Sequence, residues 1–238
     1  MGVGEKAFIL AAGLGLRMRP LTLTTPKPLV PVGGKPLIAY AVDKLANAGV
    51  SEAVVNVHHL AEQIEAWCQT ITKPHITISD ERNVLLDTGG GIAKALPLLG
   101  SSPFFVMNSD SFWTDGKVPA LERLRQAWRD NDMDCLLLLC DPAYTTGYVG
   151  RGDFVVNDEG RLAWAKQFPD WKALTYIGGY LVHPRLFERA PSGAFSMLRL
   201  WDQAIEKGRL FGLAHDGHWL HVGTVESIAA AEDYLRNS

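Results

Sequence analysis

The residues best suited to chemistry in this 238-residue chain crowd into its first thirty positions. Gly13-Leu14-Gly15-Leu16-Arg17-Met18-Arg19-Pro20-Leu21-Thr22 is followed closely by Pro26-Lys27-Pro28. Glycines leave no Cβ between the backbone N–H groups and an approaching anion. Arg17 and Lys27 add fixed positive charge a few residues from those glycines. Upstream, the apolar run Phe8-Ile9-Leu10-Ala11-Ala12 reads as a buried strand that ends in the glycine loop. The combination is a site for a phosphate or polyphosphate.

Two familiar phosphate loops are disfavoured, the dinucleotide-binding turn of a dehydrogenase remaining a distant third reading. A dinucleotide-binding turn needs a third glycine where Met18 stands. A P-loop needs Ser or Thr after Gly-Lys, but Gly34-Lys35 is followed by Pro36. A plain tight turn would account for Gly-x-Gly alone, though not for Arg17, Pro20-Leu21-Thr22 and Pro26-Lys27-Pro28 together.

Further candidates lie downstream. Asp110 ends the apolar run 103–107 and Asn108-Ser109, and a single carboxylate there suits a hard cation such as Mg²⁺; the bland alternative is a helix N-cap. Thr88-Gly89-Gly90-Gly91 before a helical pattern suggests close backbone approach to a flat ligand, against the alternative of a weak helix start. His215, His218 and His221 recur every three residues. On a strand this spacing alternates faces, and no cysteine accompanies them, which disfavours zinc. Trp164, Trp171 and Trp201 could wall a sugar pocket or serve as core. Cys68, Cys135 and Cys140 have no metal spacing and read as reduced thiols.

These residues need a scaffold. Strands are expected at 7–11, 53–57, 76–78, 103–107, 134–140 and 175–182, with helices near 37–48, 60–67, 90–99, 119–128 and 224–235. Residues 141–172 read as hairpins and loops. Alternating strands and helices predict an α/β fold: a single-domain, Rossmann-like, doubly wound, mostly parallel sheet flanked by helices. Asp110 would then lie beyond a strand's carboxyl end, where such sheets bind ligands. Hydrophobic residues make up 47% and the net charge is −3, an ordinary soluble balance without a basic run for nucleic acid or membrane. With no signal peptide and no apolar stretch of about 20 residues, the expected location is cytoplasmic. One domain spanning 1–238 is expected, its nucleotide half ending near 110, as a monomer or small homo-oligomer.

The segment 13–31, with Pro36-Leu37-Ile38, Asp87-Thr88-Gly89-Gly90-Gly91-Ile92, Asn108-Ser109-Asp110 and Trp219-Leu220-His221-Val222-Gly223-Thr224, resembles the sugar-1-phosphate nucleotidyltransferases over nearly the whole chain. The resemblance implies NTP and sugar-1-phosphate substrates and a divalent cofactor, Mg²⁺ or alternatively Mn²⁺. It implies nucleotide contacts from Leu10, Ala11, Ala12, Gly13, Gly15, Arg17, Thr88 and Gly89. Lys27, Asn108, Gly152 and Gly179 would meet the sugar phosphate; Arg17, Lys27 and Asp110 would carry catalysis. The family's second metal carboxylate is replaced by His221, a poorer Mg²⁺ ligand. Within the family the similarity is greatest to uridylyltransferases of N-acetylmuramate 1-phosphate. Mannose-1-phosphate guanylyltransferases are the alternative, and a non-catalytic sugar-nucleotide sensor is the alternative of another class.

Overall fold

The computed structural model describes residues 2–237. Seven strands form the central sheet or its extensions: β1 (Lys6–Leu10), β2 (Glu52–Val57), β3 (His75–Asp80), β4 (Phe104–Asn108), then β6 (Cys135–Cys140), β7 (Thr175–Val182) and β8 (Leu210–Ala214). A separate small sheet joins β5 (Ser111–Thr114) and β9 (His218–His221) to Thr145–Thr146. The large sheet runs β8-β6-β7-β4-β1-β2-β3, with β7 antiparallel to both its neighbours and every other pair parallel. This is the expected mixed, mostly parallel sheet.

The apolar runs become its interior. Ala7, Phe8 and Ile9 are fully buried, as is every residue of Cys135–Cys140, because strands covered on both faces read as unbroken apolar segments. Helices α1 (Leu37–Asn47), α2 (Ala61–Cys68) and α4 (Ala120–Ala127) pack on one face through Ile38, Leu45, Ile64 and Leu124. On the other face, α3 (Asp87–Leu99) and α5 (Leu198–Glu206) contribute Ile92, Ala95, Leu200 and Trp201. The last helix, α6 (Val225–Asn237), closes a smaller core with Met18, Val30 and Leu220. No helix among the described residues is long and apolar enough to cross a membrane.

Register then sets the site. Leu10 pairs with Asn108, and Ile9 with Val55, so the carboxyl ends of β1, β2 and β4 finish side by side. In the small sheet His221 pairs with Ser111, and the N–H of Val222 donates to the Asp110 carbonyl at 3.3 Å. A C-terminal strand thus reaches the carboxyl end of β4. Several elements exceed the sequence expectation, among them β5, α5, β8 and β9, which lie where none was assigned.

Candidate active site

At the carboxyl ends of β1, β2 and β4 lies a cavity of about 400 Å³. Leu10, Ala11, Ala12 and Gly13 form one wall, Asp87 and Thr88 another, and Asn108, Ser109 and Asp110 the base. The first two segments come from the ends predicted to hold a nucleotide. Around Gly13 no atom lies within 4 Å of where a Cβ would stand, so the backbone there faces open space. Gly15 is used differently. Its φ of 61° is left-handed, and an added Cβ would sit 2.9 Å from Thr22 Cγ2. Thr22 fastens the loop by donating from Oγ1 to the Gly15 carbonyl at 2.8 Å. The following single turn, Leu16–Met18, buries Met18 and leaves Arg17 exposed.

Charge converges on the base of the cavity. Lys27, in the turn Lys27–Leu29, is buried yet extends Nζ to 2.8 Å from Asp110 Oδ2. Burial alone would raise the Asp110 carboxyl pKa. Lys27 outweighs it, with smaller contributions from His221 and Arg17, and the carboxyl sits below its ordinary value. His221 is held below the ordinary histidine value by burial, with the Lys27 and Arg17 charges opposing the pull of Asp110. Its Nε2 stands 2.7 Å from where a Cβ on Gly223 would be, and Arg17 Nη1 3.5 Å from the same point. Arg17, Lys27, Asp110 and His221 therefore form one electrostatic group: two fixed cations, one carboxylate and one neutral imidazole. No group of three or more His, Cys, Asp or Glu side chains is arranged to hold a metal among the described residues. A lone carboxylate does fit an ion of the Mg²⁺ type, which completes its shell with phosphate and water oxygens.

Other residues are placed differently from expectation. Gly89 does not face the cavity; its missing side chain admits Phe195, whose carbonyl accepts from the Gly89 and Gly90 N–H groups. Gly90 lies against the Gly193 carbonyl, and an added Cβ on Gly91 would stand 2.7 Å from Glu81 Oε1. The glycine triplet is spent on protein packing, and Asp87 and Thr88 meet the cavity instead. Asp87 does so at a φ of 60°, which a short polar side chain tolerates. Gly179 packs on Trp113, with 2.8 Å left for a Cβ, and Gly152 on Ala173, with 2.7 Å; neither borders the cavity. Gly178, at φ 91°, is the glycine beside Asn108.

Asn108, Leu10 and Thr88 also border a second cavity of about 200 Å³, completed by Tyr176, Met197 and Trp201. Of the three tryptophans considered, Trp201 lines the second cavity; the Nε1 of Trp164 donates to Asp202 at 2.6 Å, and Trp171 is exposed. The histidines disperse as strand geometry requires. His215 Nε2 donates to the Thr114 carbonyl at 2.9 Å, His218 bonds Thr146 Oγ1 at 2.8 Å and stacks on Tyr234, and only His221 turns to Asp110. Sequence reading missed Asn56, Leu85 and Asp87 in the wall. Asn56 carried a signal, a polar residue inside the otherwise apolar 53–57 run.

Known proteins resemble the chain along its length. The nucleotidyl transferase family model matches residues 6–238. N-acetylmuramate alpha-1-phosphate uridylyltransferase of Caulobacter vibrioides is 41% identical over 233 residues, 96% of each chain. The protein of that name from Neisseria meningitidis is 36% identical over 230 residues, 95% of this chain and 96% of the relative. Among solved structures, UDP-glucose pyrophosphorylase complexed with UDP-glucose superposes with a TM-score of 0.77 at 21% identity and full coverage of both chains, a likeness of fold. A Rossmann-like sheet, a glycine loop over a charged floor and this similarity along its length agree: the chain belongs to the nucleotidyl transferase family and is a sugar-1-phosphate nucleotidyltransferase.

Proposed function

We propose that the chain transfers the uridylyl group of UTP to N-acetylmuramate 1-phosphate, releasing pyrophosphate, and so serves cell-wall sugar recycling in the cytoplasm. The substrate pair rests on the two uridylyltransferase relatives, each matched over nearly its full length. The observation that carries the chemistry is the Lys27–Asp110 pair, 2.8 Å across, on the cavity floor facing the open backbone at Gly13.

In this reading a phosphate oxygen of the sugar substrate attacks the α-phosphate in line, the bond to the β-phosphate breaks, and pyrophosphate departs. Such transfers ask for positioning and charge stabilisation more than covalent help. The backbone of residues 13–15 and Arg17 hold the β- and γ-phosphates and the leaving pyrophosphate. Lys27 bridges the attacking phosphate and the α-phosphate. Asp110, with His221 beside it, would hold a divalent cation, Mg²⁺ or Mn²⁺, which would supply neutralisation of α-phosphate charge. The uracil lies toward Leu85, Asp87 and Thr88. The sugar lies toward Asn108 and the second cavity. On this division residues 1–110 serve the nucleotide and the remainder mainly the sugar, within one domain.

A pyrophosphate-release screen of four NTPs against a panel of sugar 1-phosphates, with Mg²⁺ and with Mn²⁺, tests the reading. The expected winner is UTP with N-acetylmuramate 1-phosphate. A higher kcat/KM for GTP with mannose 1-phosphate would transfer the assignment to the guanylyltransferases. Binding without turnover in every combination would point to a sensor.

A further inference from the structure

The two segments that face the nucleotide, residues 11–15 and 85–88, arise from different parts of the sheet. A chain of hydrogen bonds that starts at Asn56, in the cavity wall, and runs inward to Glu81 joins them. Asn56 Oδ1 accepts from the Ala11 N–H at 2.7 Å, and Asn56 Nδ2 donates to Glu81 Oε1 at 2.8 Å. Glu81 Oε2 accepts from the Leu86 N–H at 3.0 Å. The backbone of Glu81 is fixed in turn, its N–H donating to the Val57 carbonyl at 2.8 Å and its carbonyl bonded to His58 Nδ1 at 2.7 Å.

Both side chains are only 2% exposed. Glu81 has no ion-pair partner among the described residues. A buried carboxylate without a cation is costly to keep, and an apolar pair of similar size would pack the same space at less cost. What an apolar pair cannot do is fix direction. A carboxylate only accepts, so it forces the Asn56 amide to point Nδ2 inward and Oδ1 at Ala11. The absence of a side chain on Gly91 leaves room for this junction, since a Cβ there would stand 2.7 Å from Glu81 Oε1 and 3.0 Å from Asn56 Nδ2.

We propose that Asn56 and Glu81 are positioning residues that lock the phosphate loop to the base-facing segment, so that both ends of the NTP are gripped in one register. The inference rests on the nucleotide placement given under Proposed function. Reaction geometry is sensitive to displacements of an ångström, so a slack link between the two grips weakens nucleotide binding specifically.

Donor and acceptor can be exchanged along this chain, which supplies the test. Asn56→Asp sets two carboxylates against each other. Glu81→Gln leaves its amide either donating toward Nδ2 of Asn56 or facing the Leu86 N–H. The double variant Asn56→Asp/Glu81→Gln rebuilds every bond: the carboxylate at 56 accepts from Ala11 and from the amide at 81, whose carbonyl accepts from Leu86. Each single variant is expected to raise the Kd and the KM for UTP about tenfold, the scale of one lost buried hydrogen bond. KM for the sugar 1-phosphate should stay within about twofold, a split that general loosening of the fold would not produce. The double variant should return UTP affinity to within about threefold of wild type.

Single variants that melt lower yet bind UTP like wild type would overturn the proposal, as would a double variant no better than its parents. If a single variant does not fold, the double decides alone: folded with near-wild-type UTP affinity supports the link, while tenfold weaker affinity or failure to fold overturns it. Affinity is titrated with all four NTPs. A wild-type chain that binds none of them overturns the substrate reading and the link together, whereas a binding wild type with no rescue overturns the link alone.

Discussion

Arg17 and Lys27 bring the same charge to bear on Asp110 in different ways, and the difference decides which is the cleaner probe. Lys27 is buried and paired with Asp110, so its removal strands a carboxylate and disturbs the floor itself. Arg17 is exposed on a short turn anchored by Met18, with its charge felt at both Asp110 and His221. Arg17→Ala should therefore lower kcat by at least about 10²-fold, the scale of one lost transition-state donor, while the melting temperature holds. A folded variant with wild-type turnover would remove Arg17 from the catalytic group.

Among the elements, the glycine loop divides its labour between two residues. A Cβ added at Gly13 would meet no protein atom within 4 Å beyond its chain neighbours, whereas Gly15 is pinned at φ 61° against Thr22. Gly13→Ala should keep the melting temperature and weaken NTP binding, because its methyl group projects into ligand space. Gly15→Ala should cost about 1–2 kcal/mol of stability, since L-residues resist that backbone region. Thermal melts paired with UTP titrations separate the two, and an unaltered UTP affinity in Gly13→Ala would move the phosphates elsewhere.

The same contrast explains what the sequence made legible. Long apolar strands and the loop motif announced themselves through periodicity, and residues 175–182 were bounded as observed. Helix α5 repeats Leu198, Trp201, Ala204 and Ile205 at helical spacing and was legible though unassigned, whereas β8 is interrupted by Gly212 and β9 reads His-Trp-Leu-His, so neither strand carries a clear apolar period. The triplet 89–91 looked ligand-directed because three-dimensional crowding by Phe195, Gly193 and Glu81 leaves no trace in local sequence. Glu81 was invisible for a like reason: a charged residue in a polar stretch reads as surface until its partners are known.

For the molecule as a whole, histidine burial sets an acid limit. His183, His215, His218 and His221 are all held below the ordinary histidine value, burial being the main cause at each. Bonding agrees at His183, whose Nδ1 accepts from the Arg185 N–H at 3.0 Å and so must be unprotonated. The unfolded chain takes up these protons near pH ~6.5 while the folded one resists, so stability is full above that value and falls as the pH drops through it. The depressed Asp110 carboxyl adds stability that disappears only at lower pH, on protonation below the usual carboxylate range. Melting temperatures recorded from pH 7.5 to 5 should fall steadily below about 6.5; a flat profile would contradict the burial of these rings.

The pairing of β9 with β5 also dictates when the enzyme can first work. A chain emerging from the ribosome displays its N-terminal residues first. The glycine loop, Lys27 and Asp110 are all out before the midpoint, but His221 arrives only with the strand His218–His221. That strand is the middle member of the small sheet, holding Ser111–Thr114 on one side and Thr145–Thr146 on the other. Until it docks, the segment after Asp110 has no strand partner. On the proposed assignment, a nascent chain carries the glycine loop long before His221 can join Asp110, and the group of Arg17, Lys27, Asp110 and His221 is complete only once β9 has docked.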